Sequence, residues 1–166
     1  MKRVTLIRHA KSDWGNPDLK DFDRPLNKRG LRDAPAMAKY YKETSVTPDV
    51  IVSSPALRAQ TTALFFLEEF NITPEHFILE SAIYEASPDT LMEIISKFHK
   101  EWNHVLMFGH NPGFSYLANE LTLENYNKVT CSISEIELYV EDWNLVSRGT
   151  GKMTYSDYPK THPELQ

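Results

Sequence analysis

Two histidines and two arginines stand at the ends of three short apolar runs. Arg8-His9 follows Val4-Thr5-Leu6-Ile7, and His110 follows Val105-Leu106-Met107-Phe108-Gly109. Arg58 comes shortly after Val50-Ile51-Val52-Ser53-Ser54-Pro55. A phosphoryl group in its transition state spreads negative charge over three oxygens, and guanidinium forks suit that arrangement. A neutral imidazole is a competent nucleophile that can carry the group as phosphohistidine, dividing one displacement into two. Arg8 beside His9 can hold a phosphate and, by charge repulsion, favour the neutral imidazole. Taken singly, each residue has a plainer role. Arg58 could be a solvated helix residue, His110 a loop histidine bonded to backbone, and Arg8 the partner of a loop aspartate. Arg58 falls in the first turn of an expected helix, where a cation opposes the helix dipole unless an anion lies nearby. Phosphoryl transfer is the chemistry that uses all four. A metal site built on His9 and His110 lacks a third ligand at recognisable spacing, so no metal is expected.

The elements that must position these residues follow from the pattern of apolar positions. Residues 4–7 are a short, largely apolar run rich in β-branched residues, and 49–53 and 105–108 centre on the apolar runs Val50-Ile51-Val52 and Val105-Leu106-Met107-Phe108, as expected of strands buried on both faces. A weaker strand is expected at 76–80. Leu31, Ala34, Met37, Ala38 and Tyr41 repeat at helical spacing behind a capping Asn27. Ser54-Pro55, Ser87-Pro88 and Asn111-Pro112 each read as a cap followed by proline, opening helices to about 70, 100 and 121. Residues 136–140 alternate, and 145–146 return across a turn at 142–144, giving an edge hairpin. The segment 11–25, with Gly15, Pro17, Pro25 and four aspartates, is a long loop of the kind often found at functional sites. Strands alternating with helices imply an α/β fold with a mainly parallel sheet and helices on both faces. In such sheets ligands bind beyond the carboxyl ends of the strands, where Arg8, His9, Arg58 and His110 fall. Residues 1–150 read as a single domain and 151–166 as a polar C-terminal tail.

The chain has 166 residues, and its 18 basic and 23 acidic residues give a net charge of −5. That balance gives no support for nucleic-acid binding, so any positive site must be local. Cys131 is the single cysteine and can form no intrachain disulfide. The apolar run at the N-terminus is interrupted at once by Arg8 and His9, unlike a signal peptide, and no window is apolar enough to span a bilayer. The expected setting is cytoplasmic, without membrane association, and the oligomeric state is left open.

The segments LIRHA, SSPALRAQTTA and FGHNPG resemble the three signatures of the histidine phosphatase (phosphoglycerate mutase-like) superfamily. RHAKSDW and DRPLNKRG are similar to its SixA-type phosphohistidine phosphatase branch, and the likeness covers roughly residues 3–150. The resemblance implies a three-layer α/β/α, phosphoglycerate mutase-like fold. It makes His9 the phosphorylated nucleophile and Arg8, Arg58 and His110 the rest of the phosphate pocket, with no cofactor. Ala10 stands where many members have glycine, and Gly15 where many have an asparagine. Ser12 and Asn16 are therefore kept as candidate phosphate contacts. Glu85, in IYEASPDT, is the candidate proton donor that the resemblance implies, with Asp13 as the alternative. No insertion between Arg58 and His110 is long enough for a lid domain, which predicts an open site able to admit a phosphorylated protein. Small phosphoesters are the alternative substrates, and a non-catalytic phosphate-recognising module is the alternative outside enzymes.

Overall fold

The computed structural model describes residues 1–166. Ten principal elements follow one another as β1 (Lys2–Arg8), α1 (Lys28–Thr44), β2 (Val50–Ser53), α2 (Leu57–Phe70), β3 (Phe77–Leu79), α3 (Pro88–Ser96), β4 (His104–Gly109), α4 (Gly113–Thr122), β5 (Ile133–Leu138) and β6 (Gly151–Asp157). Their strands form one six-stranded sheet in the order β3-β2-β4-β1-β5-β6. The first four positions in that order pair in parallel, whereas β5 runs antiparallel to β1, and β6 antiparallel to β5. No helix is long and apolar enough to cross a membrane.

Every residue of β2 and β4 is buried, as their unbroken apolar runs require of central strands. Alternate residues of β1 serve the two faces. Val4 and Leu6 join a core containing Ile95, Phe114, Leu117 and Trp143, beneath α3 and α4. Ile7 joins the opposite core with Met37, Tyr41, Phe66 and Phe108, beneath α1 and α2. The three-layer arrangement expected from the sequence is thus present, with a full hydrophobic layer on each side of the sheet.

Helix α1 begins where expected. The Asn27 side chain accepts a hydrogen bond from Gly30 N at 2.9 Å, satisfying one free donor of the first turn. Gly30 is needed there for space: a Cβ would lie 2.2 Å from the Lys11 carbonyl oxygen. Lys11 O also accepts from Asn27 N at 2.9 Å, so the start of α1 is pressed against the chain leaving β1.

Five expectations are corrected. The edge hairpin pairs β5 with 151–157, because 143–145 forms a single 3-10 turn that buries Trp143. The segment 151–166 is accordingly packed: β6 completes the sheet, Leu165 is 6% exposed in the α1/α2 core, and His162 stacks on Tyr40 with ring centroids 3.9 Å apart. Ser54 does not cap α2, which starts at Leu57 behind Ala56. Asn111 does not cap α4 either, since Pro112 precedes its first residue and the Asn111 side chain is bonded elsewhere. The third helix also stops at Ser96 rather than near Lys100.

Candidate active site

Strand register builds the site. Arg8 of β1 is paired directly with Gly109 of β4, so the two strands end level, and His9 N donates to Gly109 O at 3.1 Å. The next residues along each chain, His9 and His110, are thereby brought side by side, with ring centroids 5.2 Å apart. Strand β2 ends one position earlier in the same ladder: Ser53 pairs with Phe108, and Ser54 N donates to Phe108 O at 2.9 Å. The Ser54 hydroxyl then meets His110 Nε2 at 2.8 Å. Arg58, in the first turn of α2, completes the group from the third strand end. Gly109 is obligatory for a packing reason, because a Cβ there would lie 2.5 Å from the Phe114 ring.

His9 is 7% exposed, and its Nδ1 lies 2.7 Å from the Ala10 carbonyl oxygen. A carbonyl only accepts, so Nδ1 carries the proton and Nε2 presents its lone pair. Burial, reinforced by the nearby His110, Arg58 and Arg8, pushes the His9 pKa down to about 3 and keeps the ring neutral. His110 is pushed down to about 4, again chiefly by burial and next by Arg58. The chain has six buried side-chain nitrogen or oxygen atoms without a hydrogen-bond partner, and three of them are Arg8 Nε, Arg58 Nε and His110 Nδ1. Buried polar atoms are rarely left so, and their gathering at one place marks a site that suits an anion.

The long loop supplies what the sequence did not reveal. Residues 21–23 form a 3-10 turn, and Asp21 lies against Arg58. Arg58 Nη1 donates to Asp21 O at 2.6 Å and Nη2 to Asp21 Oδ2 at 3.0 Å. Tyr84 donates to the same carboxylate oxygen at 2.6 Å, and Arg24 donates to Oδ1 through Nε at 3.2 Å and Nη2 at 3.0 Å. These donors, led by the Tyr84 hydroxyl, hold Asp21 well below the usual carboxylate range. Asp21 therefore fixes the plane of Arg58 from outside. Arg8 is held from its other side, its Nη1 donating to Lys128 O at 2.9 Å. That carbonyl also accepts from Asn111 Nδ2 at 2.6 Å. Lys128 itself is 3% exposed, hydrogen-bonded through its ammonium to Ser134, and lowered by burial to about 7.

Of the residues expected from the sequence, Arg8, His9, Arg58 and His110 are brought together. Glu85 lies close by: it is exposed, with φ of 57°, and shares a cavity with His110, Asn111 and Tyr116. Ser12 and Asn16, expected as candidate phosphate contacts, have other partners in the structure. Ser12 is buried with its hydroxyl taken by Arg24 Nη1 at 2.6 Å, and the exposed Asn16 turns its side-chain oxygen to Asp18 N at 3.0 Å. Asp13 is likewise engaged locally, accepting from Gly15 N at 2.7 Å. Arg24 was legible in DRPLN as part of a resemblance, but its bond to Asp21 depends on the loop's path. Asp21, Tyr84 and Ser54 carried no separate signal.

Residues 4–104 match the family model of the histidine phosphatase superfamily (branch 1). The chain belongs to the histidine phosphatase superfamily. An uncharacterized chloroplastic protein of Arabidopsis thaliana is 29% identical over 150 residues, which is 86% of this chain and 69% of that protein. The uncharacterized phosphatase PhoE of Bacillus subtilis is 26% identical over 182 residues, 87% of this chain and 93% of that one. Among solved structures, one from Agrobacterium tumefaciens assigned as the phosphohistidine phosphatase SixA superposes with a TM-score of 0.79. Its identity is 24%, with 95% of this chain and 98% of that chain covered, so the likeness is one of fold. Within this superfamily member, the strand ends present a neutral histidine between two arginines and a second histidine, an arrangement chemically suited to in-line transfer of a phosphoryl group.

Proposed function

We propose that the protein is a phosphatase that removes the phosphoryl group from phosphohistidine on a protein, through a covalent intermediate on His9. The observation that carries this reading is the His9–Ala10 hydrogen bond, which leaves Nε2 unprotonated in a ring kept neutral beside two guanidinium groups. In the first step the Nε2 lone pair attacks phosphorus, and the bond from phosphorus to the substrate nitrogen breaks, with that imidazole leaving as the neutral ring once protonated. In the second step water attacks phosphorus, the bond to Nε2 breaks, and inorganic phosphate is released. Arg8, Arg58 and His110 act by stabilising the charge on the phosphoryl oxygens. Glu85 is assigned the proton: it protonates a poor leaving group in the first step and takes a proton from water in the second.

The short connections around the strand ends support a protein-borne substrate. Between Arg58 and His110 lie α2, β3, α3 and β4, with 3-10 turns at 74–76 and 81–83 and short connections, and no insertion of the size of a lid domain. The SixA fold likeness lends the same support. A second reading, hydrolysis of small phosphomonoesters, is favoured by the position of Glu85, because an alkoxide leaves only with a proton. The two are separated by kcat/KM on a phosphohistidine protein, an aryl phosphate and a panel of alkyl phosphates. The expected order places phosphohistidine first, and His9→Ala should abolish turnover of all of them. Activity persisting in His9→Ala would overturn the covalent route, and preference for an alkyl phosphate would overturn the substrate.

A further inference from the structure

A second cationic region continues from Arg8 along the surface. It is a groove of about 300 Å³ lined by Arg8, Lys11, Arg29, Arg32 and Lys160, with Asp33 as its one acidic side chain and the terminal residue Gln166 also lining it. Such concentration is notable in a chain with a net charge of −5. The cations come from three segments that the fold draws together: Lys11 from the loop after β1, Arg29 and Arg32 from the first turns of α1, and Lys160 from the packed C-terminal segment. The close contact at Gly30 keeps α1 beside Lys11.

The charges within this groove are poorly balanced. Asp33 is 3% exposed and is used by Arg32 Nη2 at 2.8 Å, with Arg29 Nε only at 4.0 Å. Lys11 and Lys160 make no ion pair or side-chain hydrogen bond with any other residue. The first turn of α1 also has Lys28 and Arg29 and no acidic residue, contrary to what the helix dipole favours. Repulsion among these groups is relieved by an anion, and Arg8 makes the groove continuous with the proposed phosphoryl site.

We propose that this groove is a docking subsite for acidic side chains flanking the phosphohistidine of a protein substrate. This rests on the reading of the substrate given above. Its cations are exposed, long and spread over three segments, which suits carboxylates distributed along a peptide better than one compact anion. Most of its lining is polar or charged, with Val129, Tyr158 and Pro159 as the less polar members, so its cations are the dominant feature offered to a partner.

The test uses two synthetic phosphohistidine peptides differing only in flanking Glu or Gln residues, together with phosphoramidate and a small bisphosphate. The full chain is compared with the double variant Arg29→Gln, Lys160→Gln. Arg32 is retained so that buried Asp33 keeps its partner. The unaltered protein should favour the acidic peptide through KM, and the advantage should shrink as salt rises. The double variant should lose about five- to tenfold in kcat/KM on the acidic peptide, as two partly exposed ion pairs would allow. Turnover of the Gln peptide and of phosphoramidate should stay unchanged, and these two report independently on the phosphohistidine reading. Equal turnover of the two peptides by the unaltered protein would overturn the proposal. So would an equal loss on both in the variant, or a loss confined to the bisphosphate, which would assign the groove to a small anion. Failure to hydrolyse the Gln peptide while an aryl phosphate is turned over would instead overturn the substrate reading itself.

Discussion

His9 should remain neutral at pH values where an ordinary histidine is charged. Its pKa is pushed from 6.5 to about 3, with burial as the largest cause. At pH 5 an unperturbed imidazole is about 97% protonated, whereas a group at about 3 is about 1% protonated. The direct assay is an NMR titration of the His9 ring in the ligand-free protein, which should show no change between pH 8 and 5. Arg58→Gln should raise the pKa only modestly, because the arginine is a lesser cause than desolvation. Linkage provides a second readout. Between about 3 and 6.5 the unfolded state binds a proton at this position and the folded state does not, so stability rises with pH across that window. For His9 this amounts to about 2 kcal/mol lost between neutral pH and pH 5. His9→Asn preserves a donor for the Ala10 carbonyl and should remove that share of the acid sensitivity. A His9 ring titrating near 6.5, or an acid sensitivity unchanged in His9→Asn, would refute the argument that burial keeps the nucleophile neutral.

Three further outcomes are expected. Glu85→Gln should lower kcat on an alkyl phosphate by about a hundredfold or more while leaving inhibition by inorganic phosphate within about twofold, and steady-state kinetics checks both. Gly30→Ala places a methyl group against Lys11 O and should cost on the order of 2 kcal/mol or more in denaturant unfolding, with loss of activity as the chain after His9 shifts. Deleting 151–166 removes β6 and Leu165, and should give a chain that lacks a cooperative thermal transition, in contrast to trimming a loose tail.

The runs Val4–Ile7, Val50–Ser53 and Val105–Phe108 were legible as central strands because both faces of such strands are buried, leaving no polar alternation to obscure them. Asn27 was legible as a cap because capping is a local hydrogen bond. The hairpin was misplaced for a related reason: β6 alternates between half-buried and exposed positions, and the polar sequence GKMTYSD has little apolar signal of its own. Its place depends on β5, with which it pairs across the fold. Ser54 and Asn111 have cap-like sequences, yet their side chains are drawn away by His110, Ser115 and Lys128.

For the site, the sequence by itself determined the residue types and the strand ends that bear them. Arg8, His9, Arg58 and His110 each follow a buried strand, and that alone confines them to one edge of a parallel sheet. Only the tertiary structure decided how they act. The level ends of β1 and β4 place two imidazoles 5.2 Å apart, and burial sets their protonation. The path of the loop brings Asp21 to Arg58 and leaves Ser12 holding Arg24. Such contacts join residues from 12 to 37 positions apart, where distance along the chain gives no constraint and packing decides which partners meet.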